Sequence, residues 1–274
     1  MIKLGPAGKP IGFKGPFLSC LPFLKEIGLN AVEVQFVRNI WMKDWQAKEF
    51  GKEARRLGIK LTVHAPYFIN LCSPKREVLE ASKQRIIESC RLAELMGATH
   101  VVFHPGYYGK LKEDEAYKMV REALKEVSKK VKKVLIAPET MGNKSKFGSE
   151  DELIKLAKEI KNVTVTIDFA HLHARYNGLF KRKEDFIKIL EKFERELGRN
   201  YIKNFHSHFT CVKYDVKGER SHLPLKAKQP DFKLLAEALK ELGINNCTII
   251  SESPILEKDA LKMKEILEEV GFKF

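Results

Sequence analysis

At 274 residues the chain fits one large domain, and a β/α barrel of about 250 residues is a natural size for it. A hydrophobic content of 44% suits a sizeable core, no run approaches the ~18 apolar residues of a membrane span, and the opening MIKLGPAGKPIGFKG lacks a signal-type apolar core. Fifty Lys and Arg against 36 Asp and Glu leave a net +14, which favours an anionic partner, while five scattered Cys with no CxxC pair read as reduced thiols of a cytoplasmic protein without membrane contact.

Eight runs read as strands: Ile2 to Leu4, Ala31 to Phe36, Lys60 to His64, His100 to His104, Val134 to Glu139, Val163 to Asp168, Ile202 to Phe209 and Cys247 to Glu252. Most are near-continuous rather than alternating, which suits strands buried on both faces of a parallel sheet. Amphipathic helices separate them. Between Glu113 and Lys133 the apolar positions Ala116, Met119, Val120, Ala123, Leu124, Val127 and Val131 keep helical spacing on one face. Gly28, Gly58, Gly97 and Gly243 each close a helical pattern before a strand, where a left-handed residue ends a helix.

Eight βα units in this length predict a single-domain (β/α)8 TIM barrel over residues 1–274. No GxGxxG or GxxxxGK[ST] phosphate loop follows a strand, which weighs against an open nucleotide-binding sheet. The one long irregular stretch, about Thr210 to Pro230, carries Lys213, Lys217, Arg220, Lys226 and Lys228 against Asp215 and Glu219, a balance suited to phosphate contact. Much of the remaining charge, as at Lys125-Glu126 and Lys129-Lys130, falls on helix outer faces.

His64, His104, Glu139, Asp168, His171, His206 and Glu252 each fall at the end of a separate strand run or just past it. In a parallel barrel all strand ends open on one face, so residues remote in sequence are expected to converge there. A strand-end histidine alone is more often structural, and an unpaired carboxylate ending an apolar strand is costly. Together they predict a metal site of oxygen and nitrogen donors, suited to zinc, manganese or iron. Seven donors exceed one four-coordinate ion and imply a multinuclear centre, the kind that clamps both oxygens of a phosphoryl transfer.

The same residues resemble the endonuclease IV family of apurinic/apyrimidinic endonucleases, within the xylose-isomerase-like barrels. The resemblance spans the chain and rests on His64-Ala65-Pro66-Tyr67-Phe68-Ile69-Asn70-Leu71, Phe103-His104-Pro105-Gly106, Pro138-Glu139-Thr140, Ile167-Asp168-Phe169-Ala170-His171, Tyr201 to His206, and Ser251-Glu252-Ser253-Pro254, six motifs in the family's order. It implies three zinc ions. His64 and His104 would hold the first, with Glu139 as the catalytic bridging carboxylate; Asp168, His206 and Glu252 would complete the second. His171 would hold the third with an Asp-x-His pair from the long loop. Here the chain departs from the family: His222 matches the histidine, but the aspartate is absent and Glu219 is the nearest substitute. His208 is the alternative to His206, since both face one side of a strand; His173 is read as structural or supporting.

The resemblance further implies binding of double-stranded DNA containing abasic sites and a cut 5′ to them, and the chain is expected to be a monomer. Tyr67 matches a family tyrosine at the flipped nucleotide. The loop Val37-Arg38-Asn39-Ile40-Trp41 sits where the family inserts side chains, so Arg38 and Trp41 are candidate DNA contacts, with Lys213 and Arg220 on the basic loop. Two rival readings remain: a metal-dependent sugar isomerase or epimerase of the same barrel superfamily, with about four ligands around one ion, and a non-catalytic metal-containing protein that binds damaged DNA.

Overall fold

The apolar runs of the sequence become the strands of a computed structural model that describes residues 1–274. They are β1 (Lys3–Pro6), β2 (Ala31–Gln35), β3 (Lys60–His64), β4 (His100–Phe103), β5 (Leu135–Pro138), β6 (Thr166–Asp168), β7 (His206–Phe209) and β8 (Thr248–Ser251). The chain clusters into two units, one of Met1–Val32 with Ile167–Phe274 and one of Glu33–Thr166.

In the first unit the strand order is β1-β8-β7-β6. β8 pairs in parallel on both sides: Ile250 stands beside Gly5 and beside His208. In the second unit the order is β2-β3-β4-β5, with His64 beside Val102 and Phe103 beside Pro138, again in parallel. Val101, Val102, Phe103, Ile249 and Ile250 are fully buried, as continuous apolar strands covered on both faces should be.

The helices follow their patterns. Glu113–Lys130 buries Ala116, Val120, Ala123, Leu124 and Val127 and ends three residues before the predicted Lys133, because Val131 is already extended. Gly58 and Gly97 cap their helices with φ of 69° and 73°, a conformation that costs a side-chain-bearing residue about 1–2 kcal/mol.

Three expectations are corrected. The strand predicted from Ile202 begins only at His206, because Arg199–Ile202 closes a short helix whose turn is held by Asn204 donating to Tyr201 and Asn200 carbonyls. Of Val163 to Asp168 only the last three residues form a strand, and Val163 makes a single bridge to Ile136. The stretch read as irregular is an antiparallel hairpin: Cys211–Asp215 pairs with Gly218–Leu223, with a bulge between Lys213 and Tyr214. Its turn has local chemistry, since the Asp215 carboxylate accepts from the Lys217 N–H at 2.8 Å and Gly218 takes φ 110°.

Candidate metal centre

In the second unit, three strand ends bring His64, His104 and Glu139 together. Their nearest donor atoms lie within 4.8 Å of one another. Glu139 Oε1 is 3.5 Å from His64 Nε2 and 2.5 Å from His104 Nε2. His64 Nδ1 faces the Ala65 carbonyl at 2.8 Å. A carbonyl only accepts, so Nδ1 carries the proton and Nε2 presents its lone pair, the state a metal ligand needs. The loop after β3 is tied to the loop after β4 through Asn70, whose side-chain oxygen accepts from Cys72 and Tyr107 N–H groups. Gly106, at φ 144°, lies so close to that oxygen that a Cβ would collide with it. The Pro-Gly turn after His104 is thus fixed by packing.

In the first unit, Asp168 ends β6 and caps the Phe169–Arg175 helix, its Oδ1 accepting from the His171 N–H at 2.7 Å. That cap explains the i, i+3 spacing read from the sequence. It also turns the His171 ring so that Nδ1 lies 3.4 Å from Asp168 Oδ2 and Nε2 lies 3.0 Å from Glu219 Oε2. Glu219 Oε1 is in turn 3.1 Å from His222 Nε2. His222 Nδ1 faces the Glu252 carbonyl at 3.0 Å, so Nδ1 keeps a proton and Nε2, once its own proton leaves, is the nitrogen open to an ion. His171, Glu219 and His222 form a second three-donor group.

Beside them, His208 Nδ1 lies 3.4 Å from Glu252 Oε1 and 3.8 Å from Asp168 Oδ2. The sequence reading prefers His206 for this place, and the structure brings His208 there instead. Both rings face one side of β7, 5.3 Å apart, but His208 is two residues nearer the strand's C-terminal end, where Asp168 and Glu252 are found.

Electrostatics separate the groups. Burial holds the His104 imidazole below its usual value, against the pull of Glu139. Burial opposes charge on Glu219 and His222 too, yet each is the other's remedy. His171 and His222 hold the Glu219 carboxyl far below the usual range, and Glu219, with the charges of Glu252 and Asp168, lifts His222 well above it. Burial, reinforced by Lys181, pushes His173 down to about 4.

The donor sets suit a divalent ion. Two ligands at 2.0–2.2 Å on a tetrahedral centre stand roughly 3.4 Å apart. The His64–Glu139, His171–Glu219, His222–Glu219 and His208–Glu252 separations run from 3.0 to 3.5 Å. All donors are imidazole or carboxylate, the borderline set of zinc, manganese and iron.

The remaining sequence candidates are placed as follows. Tyr67 stands beside the first group, its ring 5.4 Å from those of His64 and His104, and is 47% exposed. Its N–H donates to the carbonyl of Val37, a β-branched residue held at φ 43° immediately before exposed Arg38. Trp41 packs edge-on to Phe36 and donates to the Gln35 carbonyl. Lys213 and Arg220 are exposed on the hairpin, and Arg220 is paired with Asp215 at 2.6 Å. The sequence reading overlooks a groove of about 610 Å³ lined by Tyr67, Phe68, Val78, Arg85 and Tyr107. The aromatic pair Tyr107-Tyr108 after the Pro-Gly turn was the available signal.

A profile of the family described as "Xylose isomerase-like TIM barrel" matches residues 21–270. The chain is 35% identical over 277 residues to an uncharacterised protein of Methanocaldococcus jannaschii, covering 98% of each. It is 30% identical over 236 residues to "Probable endonuclease 4" of Shouchella clausii, covering 77% of each. Against "Probable endonuclease 4" of Ureaplasma parvum the match is 36% over 155 residues, and the chain spans 50% of that relative's length. Among solved structures, endonuclease IV from Thermus thermophilus aligns at TM-score 0.71 and 20% identity, covering 97% of this chain and 99% of that one. A D-tagatose 3-epimerase-like protein aligns at TM-score 0.70 and 24% identity, covering 91% of each, so both likenesses are likenesses of fold.

Proposed function

This chain belongs to the xylose isomerase-like TIM barrel family, and from that premise we propose that it is a metal-dependent endonuclease. It hydrolyses the DNA phosphodiester 5′ to abasic sites, leaving a 3′-hydroxyl and a 5′-deoxyribose phosphate, as a step of base excision repair. The fold is the α/β barrel of the family, and we read residues 1–274 as one such domain.

One observation carries the reading. In the first unit the three-donor group His171-Glu219-His222 lies beside further donors, His208 at 3.4 Å from Glu252 and 3.8 Å from Asp168, and the two gatherings are joined where His171 meets Asp168 at 3.4 Å and His222 meets the Glu252 carbonyl at 3.0 Å. Enolisation of a sugar needs a single Lewis acid, for which one group suffices. Hydrolysis of a phosphodiester asks for charge stabilisation on the attacking, leaving and non-bridging oxygens together, and adjacent groups meet that demand. The endonuclease 4 likeness over 77% of both chains supports the same reading.

The chain's own residues divide the work. His64, His104 and Glu139 would hold one ion, Asp168, His208 and Glu252 a second, and His171, Glu219 and His222 a third, with zinc the best match to the donors. Bound there, zinc supplies Lewis acidity toward the phosphate and lowers the pKa of water. Tyr67 walls the first group and offers a ring against the sugar. Lys213 and Lys217 on the hairpin, within a chain of net charge +14, attract the phosphates. An abasic nucleotide has no base to unstack, so extruding it is cheap, and selectivity comes from that difference. No helix is long and apolar enough to cross a membrane, and all five cysteines are free and buried. We propose that the protein works in the cytoplasm as a monomer. Nicking of a labelled duplex with one abasic site tests the proposal.

A further inference from the structure

The hairpin that carries Glu219 and His222 is held by more than its ligand side chains. Val212, on its first strand, packs against Ala170 and Ala174 of the Phe169–Arg175 helix, and Tyr214 closes over that apolar face. Tyr214 meets His173 edge-on, the ring centroids 5.1 Å apart with the planes at 88°. His173 is itself immobilised. Its Nδ1 accepts the Phe180 N–H at 3.1 Å, its ring lies nearly parallel to that of Phe180, and its carbonyl accepts the Gly178 N–H at 2.8 Å. Gly178 completes the seat. At φ 94° it takes a backbone conformation that favours glycine, and a Cβ there would lie 2.6 Å from the Tyr214 hydroxyl.

The geometry ties this contact to the ligands. His171 comes from the helix, and Glu219 and His222 come from the hairpin. Their donor atoms gather within 4.8 Å only when the two elements dock in one setting. Tyr214 is the direct cross-strand partner of Glu219, at the bulge of the hairpin. A shift of Tyr214 on His173 therefore moves Glu219 relative to His171.

We propose that Tyr214, His173 and Gly178 form a positioning clamp that sets the spacing of the His171-Glu219-His222 group and thereby its affinity for a divalent cation. The inference rests on the reading of that group as ion-binding. None of the three clamp residues is placed as a ligand, so their replacement tests position and not donor count.

The test titrates zinc into chelator-stripped full-length protein and follows amide hydrogen exchange of Cys211–Leu223 in the metal-free state. Tyr214→Ala and Gly178→Ala should each weaken one zinc equivalent by about 10–100-fold, the range for residues that orient a ligand, and quicken exchange in the hairpin. The other equivalents should stay as in the wild type. Tyr214→Phe, which keeps the ring on His173, should bind zinc like the wild type. Unchanged affinity in Tyr214→Ala, or a parallel loss of every equivalent, overturns the clamp. Faster hairpin exchange with unchanged zinc affinity overturns it too, while leaving the ligand reading intact. If instead His222→Ala binds as many zinc equivalents as the wild type, the ligand reading fails and the clamp with it.

Discussion

His222 turns Nε2 toward Glu219, 3.1 Å from Oε1, while the far nitrogen of the same ring faces a backbone carbonyl. In the metal-free protein this is a half-buried ion pair. His222 is raised above its ordinary value of 6.5, so its contribution to stability is complete below that value and is lost as pH rises through about 9. Glu219 is depressed below its ordinary 4.5, so its contribution is present above that value and fades as pH falls toward its lowered one. Metal-stripped wild type should therefore lose Tm relative to Glu219→Gln as pH rises from 7 toward about 9. Zinc must displace the His222 proton, so binding at neutral pH should release close to one proton at this group. Calorimetry in two buffers of different ionisation enthalpy measures it; no proton release would show that the pair is not formed.

His208 lies between Asp168 and Glu252, whereas His206 stands two residues earlier, at the start of β7. His208→Ala should weaken one zinc equivalent by at least about tenfold, and His206→Ala should weaken it less. Metal analysis after dialysis against a weak chelator separates the two. Equal losses, or the reverse order, would return the assignment to His206.

Glu139 faces both His64 and His104 from the end of β5. A neutral amide keeps the shape and loses the charge. Glu139→Gln should fold normally by circular dichroism, hold the ion of this group more weakly, and cut activity by about 10–100-fold or more. Near-normal turnover with full metal content would remove Glu139 from the catalytic set.

The hairpin cations differ in availability. Lys213 and Lys217 are exposed, whereas Arg220 is neutralised by Asp215 at 2.6 Å. Replacing both lysines should make the plot of log affinity for abasic duplex against log salt shallower by roughly 1–2, at about 0.9 per phosphate contact. Arg220→Ala should change the slope less. Identical slopes for the double variant and wild type would make the hairpin charge a solvated surface.

What the sequence disclosed follows from locality. His64, Glu139 and Asp168 end apolar strands, and the Asp168–His171 spacing is an N-cap, so both strand-end position and local geometry were readable. The hairpin was not. Only Cys211, Val212 and Gly218 are buried in it, its alternation is polar, and its order comes from Val212 and Tyr214 docking on a helix some forty residues earlier. His206 and His208 could not be told apart because a period of two puts both on one face. The choice depends on Glu252, which follows β8, the neighbour of β7 in the sheet but remote from it in sequence. Glu219 illustrates the opposite case: its departure from the aspartate that the endonuclease IV resemblance implies was visible, and its reach to both imidazoles required the hairpin's register.

The central claim is cleavage at abasic sites, and one side-by-side assay tests it most directly. Zinc-replete protein is incubated with an end-labelled duplex bearing a single abasic site, with the intact duplex, and with a panel of ketohexoses. The account predicts a single nick 5′ to the abasic site with a 3′-hydroxyl end, no comparable cut in the intact duplex, and no epimerised sugar. Epimerisation of a ketose with the abasic duplex left whole would contradict it.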